Sequence, residues 1–119
     1  MNDSVFYNKN GKAIAYISDK DDETIYLFDG TPVAWIYNES IYSFRGKHLG
    51  WFLNGWVYDN DGYVVFYTKN AYGGLVKPCC QVTPVKQVAK IKPVKGARSA
   101  SPVKPVKRLS WGRSDEFFS

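Results

Sequence analysis

His48 is the single histidine of the chain, Cys79 and Cys80 are its only thiols, and Asp19, Asp21, Asp22 and Glu23 crowd four carboxylates into five positions. These are the residue types that could act as a general base, a nucleophile or a cation cage. Nucleophilic catalysis needs a nucleophile beside an activating base, and no Ser/Cys–His–acid order or second histidine completes such a set around His48. His48 is therefore expected as a surface residue. Adjacent cysteines do not easily reach unstrained disulfide geometry and lack partners at zinc spacing, so a reduced pair is expected. The acidic run lacks the glycine and the alternating ligands of a calcium loop, and reads as a solvated loop able to meet basic residues. Trp35 and Trp51 could stack a sugar or a base, but their register favours packing. Asp29, Asp59 and Asp61 fall at turns, and Tyr72-Gly-Gly-Leu75 is a turn rather than a phosphate loop. Neither a cofactor nor a metal is expected, and an enzyme is the least favoured class.

Charge is the feature with functional weight. Residues 1–76 hold 6 Lys/Arg and 9 Asp/Glu, whereas residues 77–119 hold 10 Lys/Arg and 2 Asp/Glu. An acidic body thus carries a basic tail, an asymmetry that marks electrostatic contact. Pro-Val-Lys starts at Pro84, Pro93 and Pro102, nine residues apart, and again at Pro105. Proline among β-branched residues predicts an extended or polyproline-II segment. Lys86, Lys90, Lys92, Lys95, Arg98, Lys104, Lys107 and Arg108 are the candidate electrostatic contacts. They could neutralise phosphates, although no aromatics interleave with them as in single-strand binders. Trp111, Phe117 and Phe118 end the chain as candidate docking residues, with a helical turn expected from Ser114 to Glu116.

The elements that position these residues are legible as a repeat. Four residues before Gly11, Gly30, Gly46 and Gly62 stand Tyr7, Tyr26, Tyr42 and Tyr58. Three after come Ile14, Val33, Leu49 and Val65, and five after come Tyr16, Trp35, Trp51 and Tyr67. Asn-Gly and Asp-Gly predict two-residue type I′ turns, pairing each tyrosine with the aliphatic three after the glycine. Period-2 alternation then places the tyrosine, aliphatic and later aromatic on one core face. The residues four after the glycine are Ala15, Ala34, Gly50 and Phe66, small in three units, as around a central axis that Phe66 plugs. The fold class is all-β: four tandem hairpins around a pseudo-four-fold axis with an extended basic tail. The divisions are 1–76 for the repeat domain, 77–108 for the Pro/Lys-rich segment and 109–119 for the docking segment.

Tandem Tyr-x-x-x-Gly-x-x-aliphatic-x-aromatic hairpins, a Pro/Lys/Arg-rich segment and a Trp…Phe-Phe end resemble the four-fold beta-flower domain family of small bacterial proteins. The resemblance implies hairpins around a shared axis and no particular reaction. The units are also similar to cell-wall choline-binding repeats, which run longer and usually follow a secretion signal. The amino terminus does not read as a signal peptide, and no window approaches a membrane span, so a cytoplasmic protein without membrane contact is expected. The expected function is a non-enzymatic interaction or structural module, self-associating as a homo-oligomer or with its tail docked on its own body, with an unidentified protein partner also open. Binding of nucleic acid or another anionic surface through the tail is the alternative.

Overall fold

The computed structural model describes residues 4–118. The strands are β1 (Ser4–Tyr7), β2 (Ala13–Ile17), β3 (Thr24–Leu27), β4 (Pro32–Tyr37), β5 (Ser40–Tyr42), β6 (His48–Leu53), β7 (Trp56–Asp59) and β8 (Val64–Tyr67). Every neighbour pair is antiparallel, and β8 returns to β1 through Tyr67 opposite Tyr7, closing an eight-stranded barrel. Closure removes the free strand edges that a row of hairpins would expose.

The glycine turns are not type I′. Among the described residues Asn10, Asp29, Arg45 and Asp61 stay out of the left-handed region, and only the glycines enter it, at φ 78°, 92°, 93° and 89°. In the first turn the Gly11 amide donates to the Asn8 carbonyl and the Asn8 amide to Lys12, each at 2.9 Å. This is a three-residue loop with a left-handed glycine, the form that carries a bulge. Type I′ geometry is found instead at the other end of the barrel. There Asn38 and Glu39 (φ 47° and 68°) join β4 to β5, and Asn54 and Gly55 (φ 53° and 84°) join β6 to β7.

The bulge reorders the faces. Tyr7 pairs with Ala13 rather than with Ile14, and the same one-residue shift recurs in all four hairpins. The aliphatic three after each glycine therefore leaves the tyrosine's face. Leu49 and Val65 join the barrel interior, and Ile14 and Val33 pack against it half-buried. That interior is built of the facing pairs Phe6–Ala15, Ile25–Ala34, Ile41–Gly50 and Val57–Phe66. Small residues in three units let the backbones close on the axis. Phe66 fills the space they leave, stacked on Phe6 at 5.9 Å.

The tyrosines and later aromatics form a second layer on the outside of the barrel. Tyr7 stacks on Tyr67 at 5.5 Å, Tyr16 on Tyr26 at 5.8 Å and Trp35 lies 5.5 Å from Tyr42. Rings this large on an outer surface need cover, and the tail supplies it.

A candidate interaction girdle

Residues 76–109 circle the barrel, and their threefold periodicity decides what each side chain does. The Gln81, Lys90, Ser99 and Arg108 amides donate to the Gly11, Gly30, Gly46 and Gly62 carbonyls at 2.7, 2.8, 2.8 and 3.0 Å. Each nine-residue unit thus reads one hairpin turn. Two further amides, Gln87 and Gly96, donate to Phe28 and Phe44 at 2.9 and 2.6 Å. All six donors fall in one phase of a three-residue period, and so do Pro78, Pro84, Pro93, Pro102 and Pro105. The inward N–H positions are therefore either bonded or occupied by proline, which has no N–H to satisfy. Three residues per turn is the polyproline-II repeat, and at roughly 3.1 Å per residue it carries 34 residues about 105 Å. That length suits a circuit of a molecule 36 × 35 × 25 Å in extent.

Close approach at the turns requires glycine. A Cβ at Gly11, Gly30, Gly46 or Gly62 would overlap the carbonyl oxygen of Cys79, Val88, Ala97 or Val106, again nine residues apart.

The second phase holds most of the cations, several of them against the aromatic layer, while Lys90 and Arg108 belong to the first phase. Lys86 Nζ is 4.6 Å from the Tyr16 ring centre, Lys95 4.4 Å from Trp35 and Lys104 5.4 Å from Trp51. Lys107 covers Tyr58, while Arg98 sits 3.7 Å from the Tyr37 ring centre and Arg108 4.8 Å from Tyr63. The acidic loop meets this phase: Lys92 pairs with Asp21 at 3.2 Å and Lys95 with Glu23, while Lys104 reaches Glu39 at 3.0 Å. Burial pushes the Asp21 carboxyl up, but hydrogen bonds from the Thr24 hydroxyl, the Thr24 and Glu23 amides and Lys92 outweigh it and hold the group well below the usual carboxylate range. Lys90 extends toward the Thr31 hydroxyl at 3.4 Å. Thr83 and Ser101 hydrogen-bond the Tyr7 and Tyr42 hydroxyls at 3.2 and 3.0 Å.

The third phase faces solvent, and it is apolar throughout. Every third residue from Val76 to Leu109 is aliphatic, alanine or cysteine. Val82, Val88, Ile91 and Val94 are 90–96 % exposed, while Lys92, Lys95 and Lys104 keep only 40–52 % of their side chains in solvent. Ordinary surfaces have the opposite polarity. This row is the surface feature that the Pro-Val-Lys reading of the tail misses. Its signal, a three-residue apolar period, is present in the sequence but is masked by the stronger nine-residue one.

The end of the chain turns inward. Trp111 bridges to Val64 of β8 and lies edge-on to Trp56 of β7 and Tyr67 of β8 at 6.4 and 6.0 Å. The Phe117 amide donates to Ser114, forming one turn and no helix. Phe117 enters the barrel mouth edge-on to Phe66 at 5.7 Å and within reach of Gly50, whose missing Cβ makes room for the ring. Phe118 stacks on Phe66 at 5.5 Å.

His48 is not on the surface. Only 6 % exposed, it lies between Tyr42 and Trp51 with Nδ1 2.8 Å from Asn60 Oδ1. Burial pushes its pKa down, opposed by the Asn60 hydrogen bond, so the ring is held neutral. Trp35 and Trp51 are both 4 % exposed beneath tail lysines, which leaves their faces closed to a stacked sugar or base. Cys79 and Cys80 are free thiols, with Cys80 Sγ 3.7 Å from the Tyr67 hydroxyl. Among the described residues, no group of three or more His, Cys, Asp or Glu could hold a metal ion. No helix among them is long and apolar enough to cross a membrane.

A family model described as 4-fold beta flower protein matches residues 4–118, barrel and girdle together, and the chain belongs to that family. No curated protein and no solved structure matches it.

Proposed function

We propose that this four-fold beta flower protein is a non-enzymatic interaction module whose barrel serves as a spool for an outward-facing apolar ribbon. The observation that carries the reading is the inverted polarity of the girdle, with valines and Ile91 exposed while lysines lie against the rings beneath them. Large exposed apolar stretches mark contact sites on soluble proteins. Fixing the ribbon on the barrel also removes the ordering entropy that a free tail would lose on binding. Nucleic-acid binding is the weaker reading, because Lys92, Lys95 and Lys104 are already paired with the barrel's own carboxylates.

Affinity capture tests it. Immobilised full chain and its Val88→Asp/Ile91→Asp variant are challenged with a cell lysate supplemented with the purified chain. The expected result is protein, either the chain itself or another, retained by the unaltered chain and released by the variant. Identical eluates would sink the reading.

A further inference from the structure

We infer that the barrel mouth at the glycine-turn end binds a small amphiphilic carboxylate, an acid with one apolar chain and one anionic head. Such a site needs nothing from the ribbon reading and goes beyond it. The four hairpins are not covered alike. Ile14, Val33, Leu49 and Val65 hold equivalent places in them. Leu49 and Val65 are 7 % and 1 % exposed, on the side where Phe117 lies against Gly50 and Phe66. Ile14 and Val33, on β2 and β4, stay half-buried. The terminal turn thus closes one half of the mouth and leaves the other open.

Two clefts of about 450 and 510 Å³ occupy the open half, each of a size that small-molecule sites have. They share Val33 and Phe118 as a common wall and so meet in one groove. The first cleft, between the Gly11 and Gly30 turns, adds Ile14 and Leu27, with Asp115 among its polar residues. The second, between the Gly30 and Gly46 turns, adds Pro32, Phe44 and the ribbon's Pro93, with Arg45 and Lys47. Aliphatic and aromatic walls with a few polar groups are the usual make-up of a ligand site.

Apolar walls alone name no occupant, but the charge does. Among the described residues, the second cleft is lined by two cations and no carboxylate, the first by a carboxylate and no cation. A carboxylate head therefore belongs beside Arg45 and Lys47, with its chain laid over Val33 and Phe118 toward Ile14 and Leu27. At the far end Asp115 presents like charge, and Arg113 is already paired with it at 3.3 Å. Arginine suits a carboxylate because its planar fork can donate two parallel hydrogen bonds. Exposed ion pairs contribute little affinity, so the walls supply most of the binding and the cations set orientation and choice of head.

Titration of the isotope-labelled full chain with octanoate, followed by amide chemical shifts at about pH 7, where a carboxylic acid is ionised, tests the site. The expected result is saturable binding, with shifts centred on Ile14, Val33, Phe44 and Phe118. Octylammonium, the same chain with the opposite head, should bind about tenfold more weakly. Arg45→Gln/Lys47→Gln, at two exposed positions, should weaken octanoate about fivefold and leave octanol unchanged. No saturation below about 10 mM overturns the site. Shifts centred on residues 82–94 would give the chain to the outward row and overturn it too. Equal binding of octanoate and octylammonium by the unaltered chain would show that no head is recognised, and would overturn the carboxylate whether or not the variant folds.

Discussion

Gly46 and Gly73 both have positive φ, 93° and 71°, but their surroundings differ. A Cβ at Gly46 would run into the Ala97 carbonyl, whereas one at Gly73 would meet nothing within 4 Å. Left-handed backbone alone costs an L-residue roughly 1–2 kcal/mol. Gly73→Ala should therefore lose only that, and Gly46→Ala should lose more because the ribbon must lift. Thermal melts of the two variants should separate by several degrees, and equal melting temperatures would mean the tail carbonyl is not seated at the turn. His48 supplies a second test at this scale. Its folded pKa lies below the unfolded value of about 6.5, so below that pH the unfolded chain takes up a proton that the folded chain resists. The stability it contributes is thus complete above about pH 6.5 and is lost as pH falls toward the depressed folded value. His48→Val, the residue type at the equivalent Val64, should lose less stability than wild type when taken from about pH 7.5 to about pH 5.5. Denaturant midpoints at the two pH values would reveal it, and equal losses in the two proteins would remove His48 as the cause.

Among the elements, the terminal turn at 114–118 has the least chain and the most specific seat. Phe117 is 8 % exposed, and its ring occupies space that Gly50 leaves open inside the barrel. Removing a buried phenylalanine side chain costs about 3–5 kcal/mol, so Phe117→Ala should lower the urea midpoint by an amount equivalent to about 3 kcal/mol. A loss below about 1 kcal/mol would place the ring outside the core. The strands were largely readable from the chain, because the tyrosine, aliphatic and aromatic positions repeat at fixed offsets from each glycine. Their facing was not. Asn-Gly serves both a two-residue turn and a three-residue turn with a bulge, and one extra residue transfers Ile14, Val33, Leu49 and Val65 to the opposite side. His48 was misplaced for a related reason. Its partner Asn60 lies twelve residues away, in the turn of the next hairpin, and a single histidine carries no signal of such a neighbour.

At the scale of the whole molecule, barrel and tail are two halves of one register. Nine-residue recurrence was visible in Pro84, Pro93 and Pro102, but its meaning required the turns at Gly11, Gly30, Gly46 and Gly62 to be arranged in a ring. The turns are spaced unevenly along the sequence, by 19, 16 and 16 residues, yet the ribbon steps evenly. The extra residues of the first interval fall in the loop from Ser18 to Glu23, at the end of the barrel away from those turns. Length can therefore vary freely at one end of the body, while the wrapping strip admits change only in whole steps. A lineage that gained or lost a petal would have to lengthen or shorten its binding by nine residues in the same event, and a frame slip of one residue would turn the valines inward and the lysines to the outside.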